Sequence, residues 1–320
     1  RINPLTALKM ETTKWNFDIL IDCSFADFNK MKDKINPDDN SSLLSIVNDF
    51  EDGKWRYSKF KRFIFDNIAQ TALSAKERKD IIGDYSHLVE SAKHIRLVDD
   101  KKGKGSEIAE IVLYGIMKHH FKALSATPKI FYKQNDNDNA KGADSVHILL
   151  DDTGEFQLWL GEAKFYNSLE NKRLKDPIES VHQMLKTDIL RKEISIITSL
   201  QDLDNQIDNQ DVLNNVKRIL SGDTSIDTIK PILHIPILLL HECNITSTTT
   251  EMNEEYKNKI ISFHKDKAHE YFKKQINELG DIPKYKEINF HLILLPVPQK
   301  ERIVADFITR IQQLKEDSND

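Results

Sequence analysis

The stretch GADSVHILLDDTGEFQLWLGEAKFY, residues 142–166, decides how the rest of the chain is read. Apolar and polar positions alternate on both sides of DDTG, the pattern of two half-buried strands joined by a tight turn. Asp152, Thr153 and Gly154 suit a three-residue hairpin loop, with Gly154 in the left-handed position. That register pairs Asp151 with Glu155 and Leu150 with Phe156, and further down the ladder it sets Asp144 opposite Glu162. One face then carries Asp144, Val146, Ile148 and Leu150 on the first strand, and Phe156, Leu158, Leu160, Glu162 and Lys164 on the second. Two acids and a lysine stand where valine and leucine belong.

Side chains directly opposed on a ladder lie about 5 Å apart at Cβ. Two carboxylates at that spacing repel, and burial makes both costly. A divalent cation between them removes both penalties, and Mg²⁺ typically uses one or two carboxylates and fills its other positions with water and phosphate oxygens. The expected metal ligands are therefore Asp144 and Glu162, with Mg²⁺ as cofactor and Mn²⁺ as its substitute. Lys164 shares the face and is placed to act on a water or on phosphoryl charge. Gly161 leaves room for close approach. Acid-x-Lys spacing recurs elsewhere in the chain, as at Glu170 and Lys172, and there it reads as a solvated surface pair. Only at Glu162 does it fall in an apolar strand with a second acid opposite.

The bulk numbers bound the rest. A chain of 320 residues suffices for one large domain or two ordinary ones. With 39% hydrophobic and 30% charged residues it is globular rather than disordered. The longest apolar run, near Ile232 to Leu240, is broken by His234 and Pro236 and is too short to span a bilayer, so no membrane partner is expected. Cys23 and Cys243 form no metal or redox motif, which suggests free thiols and a cytoplasmic location. The net charge of −5 means that any DNA contact is local, metal-assisted or shared with a partner.

Working outward, residues 1–97 read as a mixed α/β region open to a partner-binding role. A strand is expected over Trp15–Asp22, and helices over Lys54–Leu73 and Ala75–His94. The Lys/Gly-rich DDKKGKG at 99–105 reads as a joint. Residues 98–320 form the second unit. Its expected order is a helix at Ser106–Leu124, a short strand KIFYK at Lys129–Lys133, the polar loop QNDNDNAKG and the hairpin. A helix at Asp176–Arg191 follows, opened by Pro177, then a polar region at 201–229 that reads as loop and helix. Strands at Pro231–Cys243 and Ile288–Pro296 flank a polar excursion and a basic helix at 256–279, and a last helix spans Lys300–Lys315. Helix, three strands, helix, strand is an α/β core with a mixed sheet.

This pattern resembles the PD-(D/E)xK nuclease superfamily. The resemblance implies a restriction-endonuclease-like core, that is a helix, a three-stranded hairpin-containing mixed sheet, a helix and a strand, with an N-terminal α/β extension. The superfamily order is matched by Glu110 on the helix, the KIFYK strand, Asp144, and Glu162-Ala163-Lys164. Ala143 stands where the motif proline often does. More narrowly, KGADSVHILL, GEAKFY, SEIAEIVLYGIM and LILLPVP resemble the nuclease subunit of Hachiman anti-phage defence systems, over roughly residues 100 to 310. That likeness implies a metal-dependent DNA endonuclease restrained and supplied with substrate by a superfamily 2 helicase subunit. It also implies that the Ala163 carbonyl is a further metal ligand. A non-catalytic nuclease-fold adaptor that regulates a helicase, and an RNase, are the competing functions.

Several further residues are candidates beside a plainer structural role. Glu110 lies among Leu113, Tyr114, Met117 and Phe121 at helical spacing, so it is either a third member of the site or a hydrogen-bonded core acid. Lys172, Arg173 and Lys175 follow the GEAKFY strand and are placed to hold DNA phosphates, or to be solvated. Ser180, His182 and Gln183 lie on the following helix, which in related nucleases helps hold substrate. KWRYSKFKRFIF at 54–65 interleaves bases and aromatics but reads better as an amphipathic helix with an aromatic core face. His241, Cys243, His264 and His269 lack the spacing of a structural zinc site. No glycine-rich phosphate loop is present in the sequence, so ATP hydrolysis would fall to the partner.

Overall fold

A computed structural model describes residues 15, 17–24, 40–96, 105–132, 142–151, 155–199, 203–204 and 206–318. The hairpin turn at 152–154, the loop at 134–141 and the joint at 99–104 lie outside the described residues.

The chain begins with β1 (Asp18–Ser24) and β2 (Ser41–Val47), then a two-stranded ribbon of β3 (Phe50–Glu51) and β4 (Lys54–Trp55). Helices α1 (Tyr57–Ala72), α2 (Ala75–Asp80), α3 (Asp84–His94) and α4 (Ser106–His119) follow. Then come β5 (Leu124–Thr127), α5 (Lys129–Tyr132), β6 (Ser145–Leu150) and β7 (Phe156–Tyr166). Next are α6 (Lys175–Met184), α7 (Thr187–Ser199), α8 (Gln210–Ile219) and α9 (Ile226–Ile229). The chain closes with β8 (Leu233–Glu242), α10 (Asn244–Ser247), α11 (Glu254–Leu279), β9 (Asn289–Val297) and α12 (Lys300–Glu316).

Seven strands form one sheet in the order β1-β2-β9-β8-β7-β6-β5. The central ladders β2/β9, β9/β8 and β8/β7 are parallel, and the outer ones are antiparallel. Strands from both sides of position 97 therefore share one sheet. Central β8 and β9 are nearly continuous apolar runs, as expected of parallel strands covered on both faces. Alternation splits their side chains: Ile237 and Leu239 of β8 face one core with α6, α7, α8 and α11, while Leu238 and Leu240 face the other with α1, α4 and α12. The result is a three-layer α/β/α arrangement. Among the described residues no helix is long and apolar enough to cross a membrane.

Several expected elements move. KIFYK is not a strand: residues 129–132 are helix α5, and the strand is the preceding LSAT, β5. Pro128 explains the exchange, because proline cannot donate to a ladder but is suited to the start of a helix. The helix expected from Lys54 starts only at Tyr57, since Asp52 and Gly53 take positive φ (50° and 71°) and turn β3 into β4. The helix expected over 75–94 is broken into α2 and α3 near Gly83, whose φ is +97°. The helix expected over 176–191 is likewise two, α6 and α7. The aromatic stretch at 54–65 does bury a face, with Phe60, Phe63 and Ile64 in the core against α4.

Candidate active site

The β6–β7 ladder has the register expected from sequence, with Leu150 opposite Phe156 and Ser145 opposite Gly161. One step further the Asp144 N–H donates to the Gly161 carbonyl at 2.8 Å, which sets Asp144 beside Glu162. Val146, Ile148, Leu158 and Leu160 share their face and are buried in the core beneath α6 and α7. That buried pattern fixes which way the three ionisable residues point, because a slip by one would turn them to the other face.

The strand geometry changes at this point. The β6 ladder ends at Ser145–Gly161, whereas β7 runs on to Tyr166 along β8, with Glu162 beside Ile237 and Lys164 beside Leu239. The last five residues of β7 have thus lost β6 as a ladder partner on one edge. The Ala163 N–H on that edge donates instead to the Asp144 carboxylate at 3.1 Å. A strand residue directs its N–H and C=O to the same side, so the Ala163 carbonyl faces that edge too. Gly161 is needed for packing rather than for a ligand: a Cβ there would meet Ser145 Oγ at 2.2 Å and Leu113 Cδ2 of α4 at 2.8 Å.

Glu162 is buried, and its pKa is pushed up to about 7, first by burial and then by the charge of Asp144. Lys164 and a hydrogen bond from Ser180 on α6 work in the opposite direction. The Lys164 ammonium donates to the Glu162 carboxylate. Burial works against that ammonium, but Glu162, Asp144 and Glu110 together raise its pKa above the usual lysine value. Glu110, buried on α4, is near enough for its charge to act on Lys164. Glu162 holds the lysine by a hydrogen bond, and Asp144 and Glu110 act on it through their charge. Among the described residues no group of three or more His, Cys, Asp or Glu is placed to hold a metal ion.

The three basic candidates separate. Lys172 is exposed and pairs with Glu170 at 2.7 Å, and Lys175 is exposed at the start of α6. Arg173 folds back and lays its guanidinium over the Tyr166 ring, 5.7 Å from the centroid. Of the three residues noted on α6, Ser180 reaches the site and His182 is exposed. Two tyrosines absent from the sequence reading line the same side. Burial, followed by the charges of Asp176 and Glu162, pushes the Tyr166 hydroxyl well above the usual tyrosine range. Burial, Tyr285 and Glu162 do the same for Tyr271 on α11. Tyr166 was legible as the next residue on the Glu162–Lys164 face, two positions on. Tyr271 comes from a distant helix and had no local signal.

The histidines noted in sequence fall elsewhere. The His241 and His264 ring nitrogens meet at 3.2 Å, and Ser45 Oγ lies 2.7 Å from His264 Nδ1, all buried. Burial keeps both rings uncharged at neutral pH.

The fold and this cluster define a mixed α/β protein whose sheet end concentrates acids around one lysine. A family model described as HamA matches residues 24–311, and the chain belongs to that family, the HamA subunit of Hachiman anti-phage defence. Comparison with curated proteins gives no match.

Proposed function

We propose that this HamA chain is a metal-dependent nuclease that hydrolyses DNA phosphodiester bonds, the effector of a Hachiman complex in which a superfamily 2 helicase restrains it and delivers substrate. One observation carries the reading: Asp144, Glu162 and Lys164 meet at the edge of β7 that β6 has left. The restriction-endonuclease-like description of the core belongs to the same proposal.

The donor set fits Mg²⁺. Glu162 carries an upward pKa shift partly because Asp144 stands beside it, so the pair has negative charge that Lys164 alone does not offset. Asp144 and Glu162 would hold the ion, with the Ala163 carbonyl as a further ligand and Mn²⁺ as an alternative. When bound, the ion supplies neutralisation of the charge that develops on the phosphate. Lys164 stays protonated at neutral pH and acts as a donor, orienting the attacking water or holding a phosphate oxygen. Ser180 fixes the Glu162 carboxylate by donating to it. Glu110 adds to the field that holds the lysine charged. The net charge of −5 favours a nuclease that depends on a partner to bring DNA to it.

The test is plasmid DNA and a matched RNA incubated with Mg²⁺, with and without the helicase and ATP. Asp144→Asn abolishes cleavage while its melting temperature stays near that of the wild type; full activity in that variant ends the assignment. Cleavage of the RNA alone would move the activity to RNase. The helicase co-purifies at low salt, and clean separation there contradicts the partnership.

A further inference from the structure

Past Lys164, the end of β7 carries two cations that the cluster above does not use. Lys300, the first residue of α12, places Nζ 2.6 Å from the Phe165 carbonyl and 5.0 Å from the Phe165 ring centroid. Arg173 covers the ring of Tyr166, the next residue. Successive side chains of a strand point to opposite faces, so the two cations straddle the strand end. They feel one another: burial, and then the charge of Arg173, lowers the pKa of Lys300, against a smaller opposing effect from Glu242.

Bringing two cations to one strand end costs free energy unless an anion joins them. Among the described residues neither side chain is in an ion pair, although the charge of Arg173 acts on Glu170 and that of Glu242 on Lys300. Glu242 accepts the Lys300 backbone N–H at 2.8 Å, which anchors the start of α12. Arg173 Nε is buried with no hydrogen-bond partner. Lys172 shows the contrast, since it is already paired with Glu170. The α4 N-terminus packs on the same spot: a Cβ on Gly105 would lie 3.1 Å from Phe165 Cδ1 and 3.7 Å from Lys300 Cε. Among the described residues no side chain caps that helix, so its first-turn amides add positive potential there, partly offset by Glu107 in that turn.

We propose that Lys300 and Arg173 form a second anion site that holds a backbone phosphate of the nucleic-acid strand next to the reacting one. The identity of the ligand rests on the nuclease reading. The position suits it, because the site lies one to two residues beyond Lys164 along β7, about 3–7 Å of strand. Both groups are positioning residues for binding and take no part in bond breaking.

The experiment measures affinity of the full-length chain for a short DNA duplex in EDTA across a salt series, where cleavage cannot occur. Arg173→Gln combined with Lys300→Met, which keeps the lysine stem, lowers the slope of log affinity against log salt by about 0.9, the loss of one phosphate contact. Lys300→Arg keeps the slope, and so does Lys284→Met, which removes a lysine before β9, at the opposite end of that strand. An unchanged slope in the double variant overturns the proposal, as does the absence of salt-dependent binding by the wild type. Should the double variant fail to fold, Arg173→Gln alone is read in the same way. A wild type that binds with the expected slope but never cuts in Mg²⁺ removes the nuclease reading and leaves the anion site standing.

Discussion

Two lysines of this chain place their ammonium groups against a glutamate between the layers. Lys129 meets Glu193 at 2.6 Å, with side-chain exposures of 7% and 2%. Lys164 meets Glu162 with exposures of 31% and 4%. The first pair is sealed: Lys129 comes from α5 and Glu193 from α7, and a Cβ on Gly142 would meet Glu193 Oε1 at 1.6 Å. The second pair opens to solvent on the lysine side and has Asp144 and Glu110 beside it. A buried acid–lysine pair is thus not by itself a functional mark. Surplus charge of one sign, together with an open edge, separates a site from a staple.

The largest predicted effect breaks the sealed pair. Lys129→Met leaves Glu193 buried without its cation and lowers stability by about 3–5 kcal/mol, read by urea unfolding. Lys129→Met with Glu193→Leu recovers most of that loss. A single variant as stable as the wild type would show that the pair contributes little.

The next prediction concerns the open pair and its sign with pH. The folded pKa of Glu162 is raised above the ordinary 4.5, to about 7, so the folded state binds this proton more tightly than the unfolded chain. The stability it contributes is fully present below pH 4.5 and lost as pH rises through about 7. Glu162→Gln therefore matches the wild type near pH 4.5 and becomes more stable by roughly 2–3 kcal/mol at pH 8. A difference that does not vary with pH would contradict the surplus of negative charge.

Smaller effects sharpen the geometry. Gly161→Ala drives a methyl group into Ser145 and Leu113 and costs about 1–3 kcal/mol, by separating α4 from the sheet. Mg²⁺ at a concentration near its Kd stabilises the folded chain by only about 0.4 kcal/mol, a shift of about 1 °C in Tm, and Asp144→Asn abolishes that shift.

The hairpin was legible because its signal is local and strict. Alternation and one turn register placed Asp144, Glu162 and Lys164 on one face, and the ladder from Leu150–Phe156 to Ser145–Gly161 has that register. The strand β2 was missed. SSLLSIV is short, its neighbours β1 and β9 lie far apart in order, and β9 is some 250 residues away, so no local pattern announces its place. The KIFYK error has a local cause, since Pro128 outweighs the β propensity of Ile130, Phe131 and Tyr132. The Asp52-Gly53 turn was written plainly and was overridden by the helical pattern that follows. Lys300, Tyr271 and Glu193 reach their partners only through tertiary packing of α12, α11 and α7, which no spacing rule foresees.

The most direct measurement sets the two lysines side by side. Plasmid nicking in Mg²⁺, with the helicase and ATP present, is compared for wild type, Lys164→Ala and Lys129→Met at a temperature where all three are folded. The account predicts that Lys164→Ala, still folded at that temperature, loses nicking by at least about 100-fold. Lys129→Met melts earlier and still nicks. If Lys164→Ala nicked as well as the wild type, or if all three proteins were inert, the open pair would not be a catalytic site, and a non-catalytic adaptor role would replace the nuclease.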